Sequence, residues 1–470
     1  MSAFFSQIMK GSKVVWVIYI FLLVLSCTVT ISAMSELAFK GASASVPILR
    51  HFFCLILGVV AILFIQILNL KTIRMLSIPY LFCMIILLMI VYFTGGVNSG
   101  SSSRFSIIGQ PSEYIKFGLI LVVSELIVLV RKRNPFPTRF FYICMVVIGC
   151  VLMLIFLENL SSAIIIASIV IVMLLAGGMG LWRVGKMVLL AAVVVGCVIA
   201  FAFIVPKEKF SVMVEEHPSL SVIDRAYTWR GRLERHFNKE EIGITADRVE
   251  VTDENRQEVY AKVALCRGGW LPSGPGSSLQ RNYLPEAYSD YVFSIAAEEG
   301  GFLLAFLIIL AYLTLFVVSL YYIIFKEQKI YRKLVLLGCS FSMTFQAAIH
   351  IAVSVGAMPV TGQTLPLVSR GGASLIVVSA MFGLIIKITA GDSGQGKAAD
   401  AGETVDSAMA ETQSAGTVEQ PATETVSVDT PSDTSSENSD PVIIVNESSS
   451  IEPSSGRAFD DDDSIFIIEE

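Results

Sequence analysis

Long apolar stretches separated by short polar segments dominate the first 390 residues of this 470-residue chain. They lie near residues 14–34, 49–69, 77–95, 113–130, 139–157, 160–178, 187–205, 291–325, 334–355 and 371–390. Most reach or exceed the ~18 residues that an apolar helix needs to cross a bilayer. The pattern therefore predicts an all-α polytopic membrane protein with ten transmembrane helices. The first run follows Lys10 and Lys13, as a secretory signal would. It is longer than the ~7–15 apolar residues of a signal core, and no small-residue cleavage motif follows, so it reads as a retained helix.

Lysine and arginine in the short connecting segments set the orientation. With the N-terminus inside, fourteen of them fall on the cytoplasmic side, among them Lys71, Arg74, Arg131, Arg183, Lys326 and Lys333. Only Lys40, Arg50, Arg104 and Arg370 fall on or beside the short outer loops. Both termini are thus expected in the cytoplasm. One large loop, 206–290, is expected on the outer face between helices seven and eight, and loops of that length are commonly functional. Within it, Lys207 to Arg235 sets Phe210, Val214, Ile223 and Leu233 among charged neighbours, a pattern for short interfacial helices. The segment "GGWLPSGPGSS" (268–278) is expected to be irregular backbone.

Composition sharpens this division. The chain is 54% hydrophobic and 16% charged, against about 25% charged in an ordinary soluble domain, which excludes a soluble globular protein. The net charge of −6 averages two opposite populations. Residues 391–470 carry 19 acidic residues against two basic ones, Lys397 and Arg457, a net of −17. The first 390 residues carry 32 basic against 21 acidic, a net of +11. A ten-helix membrane domain (1–390) is therefore expected to bear a disordered acidic cytoplasmic tail (391–470). Seven of the eight cysteines sit in apolar runs, and Cys266 stands alone in a polar segment. Without a paired motif or Cys/His cluster they indicate neither a disulfide framework nor a metal site, and are expected to be packing residues.

Three polar groups at the outer boundary carry the candidate chemistry, because charges there are costly and tend to be functional. In "NSGSSSRFSIIGQPSEYIK" (98–116), Glu113 and Lys116 share a helix face. They are either an ion pair that orients the helix or a polar notch for an anionic head group. In "RGGWLPSGPGSSLQRNYLPEAYSDYVFSIAAEEGG" (267–301), Glu286, Asp290, Glu298 and Glu299 gather near the start of span eight, after glycines that let backbone approach a ligand. A reading as rim charges facing water fits Glu298 or Glu299 more easily than Asp290, which, between Tyr288 and Tyr291, sits where the chain turns apolar. A carboxylate at such a boundary suits general-base work. The third group, "GAMPVTGQTLPLVSRGGAS" (356–374), is broken backbone with Thr361, Gln363, Ser369 and Arg370. Such backbone is tolerated at this depth only where protein buries it or it lines a cavity.

These segments resemble the shape, elongation, division and sporulation (SEDS) family of peptidoglycan glycosyltransferases, most closely its cell-division branch. "QPSEYIK", "GPGSSLQRNYLPEAYSDYVFSIAAEEGG" and "PVTGQTLPLVSRGGAS" follow the family's motifs in order, and "LENLSSA" (157–163) follows a fourth more loosely. The resemblance covers about residues 14–390. It implies an essential outer-face aspartate at Asp290, a helix-four pair at Glu113 and Lys116, and an outer-loop arginine at Arg104. Phe105 stands where the family usually has tryptophan.

The resemblance further implies lipid II as substrate, a sugar 4-hydroxyl as nucleophile and polyprenyl diphosphate as leaving group. Asp290 is then the general base, with Lys116, Arg104 or Arg370 stabilising the departing diphosphate. Glu113, Glu286, Gln363 and Ser369 complete the expected substrate-binding set. No metal-ligand cluster is spelled out, which leaves a divalent cation (Mg or Mn) open. Expected partners are a class B penicillin-binding protein transpeptidase and other divisome proteins, the latter through the acidic tail ending "DDDSIFIIEE", with no nucleic acid. The expected location is the bacterial inner membrane at the division septum. Two rivals remain: a flippase for the same lipid, disfavoured because transporters bind near the midplane, and a non-catalytic division scaffold.

Overall fold

A computed structural model describes residues 11–39, 45–94, 110–132, 138–205, 224–237, 251–252, 255–284, 288–370 and 372–391. Internal contacts divide the chain into Met1–Gly396 and Lys397–Glu470, and the acidic tail lies outside the described residues. The described residues form twelve α-helices and no strand. In chain order these are α1 (Lys13–Phe39), α2 (Ser45–Ile67), α3 (Leu70–Thr94), α4 (Pro111–Lys132), α5 (Thr138–Glu158), α6 (Leu160–Ala176) and α7 (Leu181–Ile204). They continue with α8 (Asp224–Phe237), α9 (Arg256–Arg267), α10 (Val292–Tyr321), α11 (Ile330–Ser354) and α12 (Gly372–Thr389).

Each of the ten apolar runs coincides with one helix, α1–α7 and α10–α12. Six of these are long and apolar enough to cross a membrane by length and composition: α1, α2, α3, α7, α10 with its terminal π-turn, and α11. Shorter apolar segments lie in α5, α6 and α12. The charges Glu113, Lys116 and Glu125 interrupt the apolar face of α4. Within the long loop, α8 begins inside the 207–235 stretch expected to hold interfacial helices and 268–279 is turn and coil, as the pattern predicts, whereas α9 is a helix the pattern does not predict; Phe210, Val214 and Ile223 lie outside the described residues.

Helix α11 is the axis of the bundle. It packs against α4, α6, α10 and α12, and 72% of its apolar window is buried. Gly338 permits this closeness, since a Cβ there would meet Ile120 of α4 at 2.7 Å and the Met173 sulfur of α6 at 2.8 Å. At the other extreme α7 buries only 6% of its window, presenting side chains such as Leu189, Leu190 and Val193 outward, as a helix in lipid does.

The expectation for cysteine holds only in part. Cys54 and Cys339 are buried, but Cys83, Cys150, Cys197 and Cys266 are exposed. Three of these four lie on apolar helices whose outer faces need no protein neighbour, so a small apolar thiol can sit there as well as in the core.

Candidate functional site

The segment 359–370 between α11 and α12 is anchored by several neighbouring helices. Ser26 and Thr30 of α1 donate to the Val368 carbonyl at 3.3 and 3.2 Å. Tyr312 of α10 donates to the Pro366 carbonyl. Ser161 of α6 donates to the Thr361 carbonyl at 3.2 Å, and the Gln363 amide donates to Ser162 at 3.2 Å. So many anchors sustain Leu367, a fully buried non-glycine residue at φ 67°, in a left-handed conformation that otherwise costs energy.

The second motif meets this loop at its far end. Ser369 Oγ donates to the Ser289 carbonyl at 2.8 Å and the Arg370 N–H donates to the Tyr288 carbonyl at 2.9 Å. The Arg370 guanidinium lies 4.9 Å from the centre of the Tyr288 ring, within cation–π range. Asp290 follows at once, half-buried at the start of α10. Ser289 Oγ donates to its Oδ1 at 3.0 Å, and a Cβ added at Gly362 would lie 3.7 Å from its Oδ2. The carboxylate therefore faces loop backbone at a position without a side chain.

The first motif arrives through α4. Lys116 Nζ donates to Glu113 Oε2 and to Gln346 Oε1 of α11, both at 2.7 Å, with the two charged side chains 3% and 8% exposed. The Gln346 amide donates onward to the Thr364 carbonyl at 3.0 Å. One turn further along α11, His350 Nδ1 lies 2.7 Å from the Gln363 carbonyl. Two side chains of α11 thus grip consecutive residues of the loop, and Lys116 is bound to one of them.

Asp290, Gln363, Ser369 and Arg370 therefore lie in or against the 359–370 loop, whereas Lys116 reaches it through Gln346 and Glu113 through Lys116 and Gln346 in turn. Gln363 and Ser369 spend their side chains on protein partners, with Ser369 Oγ also accepting from the Leu365 N–H at 2.8 Å. Arg104, Phe105 and Glu286 lie outside the described residues. Gln346 and His350 escape a reading by outer boundary, since both fall inside an apolar run. Their spacing of four, continued by Ser354, is the available signal: a polar stripe on one face of a membrane helix.

Glu298 and Glu299 are not water-facing rim charges. Both are 4% exposed. Glu298 accepts from the backbone N–H groups of Leu279 and Gln280 at 3.1 and 3.3 Å, and from Ser278 Oγ. Glu299 accepts from Ser32 of α1, and its carbonyl accepts from the N–H groups of Ser273 and Gly274 at 2.9 and 3.0 Å. The reason is a break in α10 at Gly301, φ 66°, where the Leu271 backbone would lie 2.8 Å from an added Cβ. The glycine-rich segment folds over the kink, and the two carboxylates become its anchors. Among the described residues no three His, Cys, Asp or Glu side chains gather as a metal site would require.

Fold and site together define a helical membrane protein whose polar centre is one clamped loop meeting the half-buried Asp290 carboxylate. The sequence profile of the FtsW, RodA and SpoVE family, described as "Cell cycle protein", matches residues 12–393, and the chain belongs to that family. A Pseudomonas fluorescens protein named "Probable peptidoglycan glycosyltransferase FtsW" is 28% identical over 377 residues, covering 78% of this chain and 85% of that one. A Dichelobacter nodosus protein of the same name is 28% identical over 313 residues, covering 64% and 70%. One solved chain, from work described as "Structural coordination of polymerization and crosslinking by a peptidoglycan synthase complex", superposes with a TM-score of 0.53 at 23% identity. It covers 80% of this chain and 98% of its own, and it establishes the shared fold.

Proposed function

We propose that this chain is a peptidoglycan glycosyltransferase that polymerises lipid II on the outer face of the bacterial inner membrane, for the septal wall. All ten long helices cross the membrane in this reading, with both termini cytoplasmic and 206–290 outside. The single observation that carries it is the meeting of Asp290 with the loop residue Gly362, on the same loop that Lys116 reaches through Gln346. A base and a cation are thereby organised by one piece of backbone. The matching names of the relatives support the same activity.

In the reaction, the 4-hydroxyl of one saccharide attacks the anomeric carbon of another. A C–O bond forms, the bond from that carbon to the diphosphate oxygen breaks, and the hydroxyl proton passes to Asp290. General-base assistance of this kind contributes about 10²–10⁴-fold. The departing diphosphate gains negative charge that a positioned cation stabilises. Arg370, half-buried beside Tyr288, and Lys116, with one donor beyond its two bonds, supply it, together with Arg104. Glu113 holds the ammonium in place, Gln363 and Ser369 fix the loop, and Glu286 completes the rim. A divalent cation at the diphosphate, a class B penicillin-binding protein and divisome contacts through the acidic tail belong to the same proposal.

Labelled lipid II incubated with the purified chain in detergent, with and without the transpeptidase, tests the activity. Glycan strands are expected. Their absence under both conditions, with lipid II transbilayer movement in vesicles, would replace the polymerase with a flippase.

A further inference from the structure

His51 stands near the start of α2 and belongs to none of the motifs above, yet it is only 3% exposed in a predominantly apolar helix. Its Nε2 lies 3.2 Å from Ser26 Oγ of α1, and that hydroxyl donates to the Val368 carbonyl at 3.3 Å. A serine hydroxyl has one proton to give, so Ser26 accepts from His51, and Nε2 carries the ring hydrogen. The groups form one directed chain, His51 N–H to Ser26 O–H to Val368 C=O, running from α2 through α1 into the loop. One turn further along α2, Cys54 Sγ lies 3.5 Å from the point where a Cβ at Gly372 would stand. This face of α2 therefore borders both ends of the stretch 368–372.

The other ring nitrogen, Nδ1, is buried and has no hydrogen-bond partner among the described residues. A buried polar atom left unmatched costs stability, and an apolar side chain of similar size would avoid that cost. The close packing of α2 on α12 lies elsewhere, where Gly58 meets Ser379 and Gly383 meets Ile62 and Ile65. Nor is the chain needed to satisfy the Val368 carbonyl, since Thr30 also reaches it at 3.2 Å. What the chain adds is direction. Donation from His51 fixes the rotation of the Ser26 hydroxyl and polarises its O–H, which pins the peptide plane between Val368 and Ser369. Ser369 in turn donates to the Ser289 carbonyl, beside Asp290.

We propose that His51 is a positioning residue for the Asp290 site, acting through Ser26 on the peptide that presents Ser369 and Arg370. The bond at Nε2 does this, and the unmatched Nδ1 is its energetic cost. The effect on rate rests on the glycosyltransferase reading, whereas the effect on the loop does not, so the test follows both.

Substitutions separate the two ring nitrogens. Gln places an amide nitrogen as many bonds from Cα as Nε2, Asn places one as many as Nδ1, and Leu places none. In the full-length chain in detergent, His51→Leu and His51→Asn are expected to speed amide exchange over Leu367–Arg370 about tenfold. They should also lower kcat on lipid II by about tenfold with KM near the parent, as misplacement of a reacting group does. Thermal stability of His51→Leu should equal or exceed the parent's, because the unmatched nitrogen is gone. His51→Gln should keep the parent exchange and most of the parent rate. Ring nitrogen NMR shifts of the labelled parent should report the Nε2–H tautomer. Parent exchange or parent kcat in His51→Leu would overturn the proposal, as would equal losses in the Leu and Gln variants or an Nδ1–H tautomer. Should the parent chain make no glycan while exchange still follows this pattern, the positioning stands and the glycosyltransferase reading fails instead.

Discussion

Lys116 and Gln346, 230 residues apart, are joined by a 2.7 Å hydrogen bond inside the helix bundle. The bond links the helix-four ion pair to the backbone of the loop opposite Asp290, because the Gln346 amide continues to the Thr364 carbonyl. Gln346 thus faces two ways, accepting from a cation and donating to a loop. Substituting Gln346→Glu keeps the acceptor for Lys116 and removes the donor for Thr364. Lipid II turnover is expected to fall at least tenfold, with thermal stability in detergent lowered by the ~1–3 kcal/mol that an unpartnered buried carbonyl costs. Parent turnover in this variant would detach the loop from the mechanism.

The Glu113–Lys116 pair separates structural from chemical roles. Removing only the ammonium, as in Lys116→Met, leaves a buried carboxylate uncompensated and typically costs about 3–5 kcal/mol. The double variant Glu113→Gln/Lys116→Met removes both charges and should recover most of that stability. Polymerisation should stay absent in both. Recovery of turnover in the double variant would show that the pair only supports the fold.

Loop clamping by α11 makes a second, independent expectation. His350 Nδ1 reaches the Gln363 carbonyl at 2.7 Å, so His350→Asn, which can place an amide N–H near that point, should retain most activity. His350→Leu leaves the carbonyl unpartnered, a loss of ~1–3 kcal/mol, and should lower kcat more than it raises KM. Equal behaviour of the two variants in a lipid II assay would argue against the clamp.

Glu298 fastens the glycine-rich segment to α10 through three donors. In Glu298→Ala those donors lose a buried acceptor, and 268–284 should loosen. Limited trypsinolysis at Arg267 and Arg281 is expected to accelerate severalfold in detergent-solubilised protein. An unchanged cleavage rate would mean that Glu299 and the Gly301 contact hold the segment alone.

Much of this arrangement was legible in the sequence, and the reasons differ by feature. Apolar run length marked all ten long helices because burial in lipid and burial in protein demand the same side chains. The loop at 359–370 is announced by Pro359, Gly362 and Pro366, which no membrane helix would keep together. What stayed hidden depends on tertiary contact. Glu298 and Glu299 lie beside two glycines where a helix begins, a pattern that fits a wet rim equally well. Only the left-handed Gly301 and the backbone folded over it turn them inward. Gln346 and His350 were absorbed into an apolar run, and the four-residue spacing between them acquires meaning only once the loop is seen above it.

The central claim is that the Asp290 carboxylate takes the proton of the attacking sugar hydroxyl. Purified Asp290→Asn, assayed for glycan strands from lipid II beside the parent chain, tests it most directly, since the substitution preserves shape and the acceptor for Ser289. A loss of about 10²–10⁴-fold in polymerisation rate, with unchanged thermal stability, is expected. Glycan strands formed at the parent rate would contradict the account.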